Sequence, residues 1–306
     1  FLRAWHYFLL QQTYGGVIIY TSVPPTVDEA KIKQSTSQQV IDFILEDINA
    51  AIPDLPNTVY QGRIVKNSAY AFKAKVLLHT QQWAAAANEA KNVISSGLCT
   101  LYPNYRDLFL SAAQKNNPSE ILFSTVYANP NRWHRGGNDH LVYGTTKPRK
   151  ELFNAYLCKD GLPTSQSPLY NPADPTANRD PRCLQTINTT GTRVIDGRTW
   201  TYASETDIHW NKFVEDFWSY HNRDTELDDY DIIHLRYADV LLMYAEAQNE
   251  AGSAPDISVY NAINAVRFRA GMPDVPEGLS KNAMREVIRL ERRIELAGEG
   301  YRWFDL

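Results

Sequence analysis

Cysteine, basic excess and long apolar runs are scarce in this chain, and each shortage excludes something. Its three cysteines, Cys99, Cys158 and Cys183, stand far apart among 306 residues and form no CxxC pair. Neither a zinc ribbon nor a dithiol redox motif is encoded, and the three read as ordinary small side chains. No run approaches the ~18 apolar residues of a membrane-spanning helix. A formal net charge of −4, with no long Lys/Arg run, argues against nucleic acid, whose phosphates demand a basic face. HExxH, GxSxG, a P-loop and a glycine-rich dinucleotide fingerprint are all missing, and the seven histidines are scattered. Neither catalysis nor a cofactor is expected. The run DTELDDYD, Asp224 to Asp231, has carboxylates enough for a structural calcium ion. It lacks the glycine that an EF-hand loop requires and reads as a solvated acidic loop.

What is present is globular composition, 43% hydrophobic and 22% charged, in a chain long enough to bury a large core, so disorder is not the default. FLRAWHYFLLQQTYGG reads as the middle and end of a helix closed by Gly15 and Gly16, as though the chain is entered inside a longer protein; the stop at FDL reads the same way. A helix is predicted over 37–52: Thr36 and Gln39 have capping-box spacing, Val40, Ile41, Ile44, Leu45 and Ile48 share a face, and Pro53 and Pro56 end it. Two more follow over 67–80, with Lys73 and Lys75 toward water, and over 83–96. The second has an Ala-rich face of Ala86, Ala87 and Ala90 that lets a neighbour approach closely. Together they have the logic of a tetratricopeptide hairpin. A second hairpin is predicted over 235–250 and 256–270, followed by a charged helix at Arg285–Glu295 whose Arg and Glu residues have the spacing of ordinary intrahelical pairs. More than a hundred residues separate the hairpins, so this is not a tandem solenoid.

The fold expected is therefore mainly α, one domain over 1–306, with a helical scaffold at 1–99 and 232–306. The long insertion, 100–231, is loop-rich with short β-strands: Ile121–Tyr127, and Arg193–Ile195 with Trp200–Tyr202. It also holds most of the tryptophans, and loops on a rigid scaffold are the usual place for a binding site.

Block by block, the chain resembles the SusD/RagB family of Bacteroidetes. LRAWHYFLLQQTYGGVIIYTSVP is similar to that family's N-terminal YG segment, and STSQQVIDFILEDINAAIPDLP and GRIVKNSAYAFKAKVLLHTQQWAAAANEAKNVISSG to its central helices. NYRDLF, NPSEILFSTVY, AYLCKDGLP and RDPRCLQTI resemble its middle punctuation. RYADVLLMYAEAQNEAG and ERRIELAGEGYRWFDL resemble its most distinctive C-terminal blocks. The resemblance implies a SusD-like α superhelix and a nutrient-binding lipoprotein at the outer-membrane surface. Its lipidated cysteine would lie outside this sequence. It also implies a ligand, most often an oligosaccharide or polysaccharide, and a SusC-like TonB-dependent transporter as partner. Two other readings stay open: the same role with a peptide ligand, and a helical-repeat adaptor that binds another protein.

A glycan site needs flat aromatic faces for sugar C–H surfaces and polar groups for the hydroxyls. The best local constellation is ANPNRWHRGGNDHLVYG, where Trp133 stands beside His134, Arg135 and Asn138. Trp200 and Tyr202, which alternation would put on one strand face, and Trp210 and Trp218 complete the candidate ligand contacts.

Overall fold

Local signals decide where the first helices begin and end. Helix α1 (Leu2–Tyr14) stops where Gly15 takes φ 71°, a left-handed value that side chains resist. The predicted capping box opens α2 (Ser37–Ala51): the Gln39 amide donates to the Thr36 hydroxyl, and the Thr36 amide to the Gln39 side chain at 2.9 Å. Val40, Ile41, Ile44 and Ile48 form its buried face. Helices α3 (Lys66–His79) and α4 (Trp83–Ser95) follow as the expected hairpin, and Ala86, Ala87, Ala90 and Val93 of α4 are buried. The computed structural model describes residues 1–128, 131–136, 146–195, 198–201, 208–215 and 228–306.

From α4 the chain runs through short pieces: α5 (Ser111–Gln114), β1 (Ile121–Thr125), α6 (Lys150–Ala155), α7 (Arg182–Thr186), β2 (Ile187–Asn188), β3 (Thr192–Ile195), β4 (Arg198–Thr201), β5 (His209–Trp210) and β6 (Ile232–Arg236). The strands make antiparallel pairs, β1 with β6, β2 with β5, and β3 with β4. The first pair matters most for placement. Ile121 lies opposite Arg236 and Thr125 opposite Ile232, so the exit and return of the insertion stand side by side on a two-stranded stem. Of the predicted strands, Arg193–Ile195 falls in β3, and Trp200 and Thr201 fall in β4; Tyr202 lies outside the described residues. Strand β6, at the start of the second predicted hairpin, was not foreseen.

Helix α8 (Tyr237–Ala251) is apolar nearly all round, burying Ala238, Val240, Leu241, Leu242, Met243, Ala245 and Ala247, as expected of a helix enclosed by others. It packs on α4, α9 (Ile257–Arg269) and α10 (Lys281–Glu295), and a short α11 (Arg302–Asp305) follows. The two hairpins are distant in sequence, yet α4 lies directly against α8. Small buried residues on both helices permit that approach, and one hydrophobic core runs from Ala4 to Ile288.

Charged residues depart most from expectation. Of the pairs assigned to the surface of α10, Glu286–Arg289 is indeed exposed, at 3.2 Å. Arg292 instead turns inward to Asp239 at 2.5 Å and Asp305 at 3.0 Å. Glu295 is wholly buried among Arg182 (2.8 Å), Arg236 (2.7 Å) and Arg269. Arg236 also meets Glu120 at 2.8 Å and Glu299 at 2.7 Å, and Arg182 meets Asp180 at 2.8 Å and Glu291 at 2.5 Å. Arg267 reaches Glu291 at 3.1 Å and Lys212 reaches Glu299 at 2.6 Å, so the cations and carboxylates of this cluster balance in number. Balance is required, since a lone buried ion costs several kcal/mol. Lys75 likewise does not face water. Its ammonium lies 3.1 Å from Asp239 and 3.9 Å from the Tyr301 ring centre, and burial lowers its pKa. Lys73 pairs with Glu89 at 2.6 Å, both largely covered. Apart from Asp180 beside Arg182, each partner lies on another segment of the chain, which spacing along one helix cannot reveal.

Candidate functional site: a tryptophan turn beside a polar cavity

Two short backbone bridges shape the segment after β1. Ala128 and Arg132 exchange both N–H···O bonds at 2.8 Å, and His134 and Asp228 exchange theirs at 3.0 and 2.9 Å. The second bridge ties the outgoing turn to the returning strand. Within the turn, the Gly136 amide lies 2.9 Å from His134 Nδ1, while Nε2 lies 2.9 Å from the Tyr230 carbonyl oxygen. A backbone amide only donates and a carbonyl only accepts, so Nδ1 is bare and Nε2 carries the proton. His134 is thus neutral. Its ring meets Tyr127 and Tyr230 edge to face, with centroids 4.6 and 4.4 Å apart. Trp133, next in the chain, keeps 42% of its surface exposed, and Arg135 is exposed as well.

Tyr127 also lines a cavity of about 170 Å³, together with Tyr60, Gln61, Ser111, Gln114, Lys115, Asn117, Asp229 and Asp231. Its carboxylates are anchored. Asp231 accepts from the Tyr127 amide at 3.0 Å and from the Ser124 hydroxyl at 2.9 Å, and burial raises its pKa against those bonds. Asp229 accepts from Ser111 at 2.7 Å and pairs with Lys115 at 3.2 Å. Tyr60 Oη receives the Ser124 amide at 3.1 Å, and burial raises its pKa. The described part of the acidic run is therefore built into the protein rather than solvated. Among the described residues, no three potential ligands gather for a metal ion.

Other candidates lie elsewhere. Trp210 is half-buried in β5 opposite Ile187. It stacks over Gly298 so closely that a Cβ there would stand 3.1 Å from its ring, and Gly298 holds φ +80°. Trp200 is in β4, opposite Arg193. Asn138, Tyr202 and Trp218 lie outside the described residues. A larger cavity of about 620 Å³ contains none of the sequence candidates. Lys75, Arg289 and Arg292 in its wall already meet Asp239, Glu286 and Asp305. Sequence reasoning missed Tyr60, Gln114, Asp229 and Asp231. One signal was available: in extended chain, the order Asp229-Tyr230-Asp231 puts both carboxylates on one face. Nothing local pointed to Tyr60 or Gln114.

Comparison with known proteins decides the family. The SusD family model matches residues 108–306, and a model described as starch-binding, associating with outer membrane, matches residues 1–78. The chain belongs to the SusD family. SusD-like protein P38 of Formosa agariphila is 30% identical over 334 aligned positions, covering all of this chain and 64% of its own length. A SusD-like carbohydrate-binding protein of Bacteroides fragilis superposes with TM-score 0.88 at 27% identity, covering 99% of this chain and 64% of that one. A second SusD-like protein of that species superposes at 0.83 with 29% identity, covering 99% and 66%. This SusD-family chain thus spans 64% of the length of P38. The mainly α fold with few short strands is the SusD-like fold. No helix among the described residues is long and apolar enough to cross a membrane.

Proposed function

We propose that this chain is the glycan-capturing part of a SusD-like protein held by a lipid at the outer-membrane surface, which passes oligosaccharides to a SusC-like TonB-dependent transporter. The observation that carries the reading is the exposed indole of Trp133 on a braced turn, next to a polar cavity. Binding is noncovalent. The indole stacks on the C–H face of a sugar, the exposed Arg135 donates to hydroxyls, and the cavity, smaller than the ~300 Å³ lower bound usual for ligand pockets, takes a single ring rather than a chain. Family membership and the carbohydrate-binding description of the Bacteroides fragilis relative support the ligand class. A half-exposed Trp133 is also the opposite of what a protein-binding adaptor would need, in which the insertion's tryptophans are buried behind a bare helical groove.

The test is calorimetric titration with a panel of laminarin, soluble starch and a casein-peptide mixture, on wild type and Trp133→Ala. Binding of at least one glycan is expected, weakened at least ~10-fold in the variant, about 1.4 kcal/mol. Glycan binding that is equal in the variant rejects the site. Binding of the peptides alone rejects the ligand class.

A further inference from the structure

We propose that His134 is a positioning residue: its neutral imidazole, seated between Tyr127, Tyr230 and the Gly136 amide, holds the turn that presents Trp133, and protonation of the ring releases it. This rests on the reading of Trp133 as the stacking platform and assigns its neighbour a role other than ligand contact.

Both ring nitrogens work inside the turn. Nδ1 accepts from Gly136 and Nε2 donates to the Tyr230 carbonyl, each at 2.9 Å. This pattern admits one protonation state. An imidazolium has a proton on Nδ1, which would face the Gly136 N–H donor, so the bond is lost and replaced by opposed dipoles. Gly136 has little freedom to absorb the change. A Cβ there would collide with the Tyr230 hydroxyl and stand 3.0 Å from His134 Nδ1, which shows how tightly that backbone is packed. Displacement therefore passes to residues 133–135. Among the described residues, Tyr127 and Tyr230 meet the ring and Asp231 acts on it through its charge; Asp228 and Asp229 lie on the same returning segment, and Arg132 and Arg135 on the turn. The Asp231 carboxylate favours the imidazolium and the Gly136 bond favours the neutral ring, so acid sets the two against each other.

Protein labelled with 5-fluorotryptophan, without ligand, supplies the decisive readout. The Trp133 ¹⁹F resonance, assigned by its loss in Trp133→Phe, should shift between about pH 8 and about pH 5 in wild type and stay flat in His134→Gln. The other tryptophan resonances report that the variant is folded. Gly136→Ala should displace the Trp133 resonance at every pH. Laminarin affinity should fall about tenfold from about pH 8 to about pH 5 in wild type, but not in His134→Gln. A wild-type resonance that does not move over this range, or an equal titration in His134→Gln, overturns the proposal. Failure of Trp133→Ala to weaken glycan binding would instead reject the platform reading while leaving the titration intact.

Discussion

Arg236 sits at the end of β6 with no exposed surface and three carboxylates around it, Glu120, Glu295 and Glu299. Replacing it with methionine would leave those carboxylates one positive charge short, with only Arg182, Arg269 and Lys212 beside them. Loss of one partner from a buried ionic cluster costs about 3–5 kcal/mol. Arg236→Met should therefore lower chemical-denaturation stability by that order, whereas Glu286→Ala, on the exposed pair with Arg289, should change it by less than ~1 kcal/mol. Equal effects would show that the buried cluster does not hold the fold. The identity of these residues was plain in the sequence, but their environment was not. Arg292 and Glu295 have the i,i+3 spacing of a surface pair, and only elements from elsewhere in the chain turn both inward.

Helices and their ends were the most legible feature. The Thr36–Gln39 box, the Gly15 stop and the Ala-rich face of α4 act over a few residues, and each appears where the pattern put it. Helix α9 gives a clean measure of such local terms. Asp256 caps it, accepting from the amides of Ser258 at 2.8 Å and Val259 at 3.3 Å. Asp256→Ala should cost about 1 kcal/mol by thermal or urea unfolding, and Asp256→Ser should recover most of it. A loss several times larger would mean that the residue does more than cap. Strand β6 was harder to see. Its residues run straight into α8, and what makes Ile232–Arg236 extended is pairing with β1, more than a hundred positions earlier.

Across the whole molecule, buried charge joins insertion to scaffold: Glu120, Arg182 and Lys212 meet Arg236, Arg269, Glu291, Glu295 and Glu299. A unit so joined is expected to unfold in one calorimetric transition, and two resolved transitions would separate insertion from scaffold. Acid should weaken it progressively. For Asp239, burial favours the neutral acid, but Lys75 and Arg292 outweigh it and bring the pKa down to about 2. Its folded pKa is depressed, so its contribution is present above the ordinary value of 3.8 and is lost as pH falls through about 2. The shift corresponds to roughly 2–3 kcal/mol at neutral pH. Asp239→Asn should be less stable than wild type at pH ~7, and that gap should close toward pH ~2; a gap independent of pH would sink the assignment.

From the order of residues alone follow the helical class, the bounds of the long scaffold helices, strands β1, β3 and β4 and the family pattern, because capping, periodicity and glycine stops act between near neighbours. Trp133 could be singled out as a candidate for the same reason: an aromatic among Pro, Asn and Gly is visible in a short window. Tertiary structure alone brought Tyr60, Gln114, Asp229 and Asp231 to one cavity, seated His134 between two tyrosines, and drew Arg182, Arg236 and Glu295 into the interior. Those arrangements join residues dozens to more than a hundred positions apart, and no local propensity encodes which distant partner will neutralise a buried charge or close over a cavity.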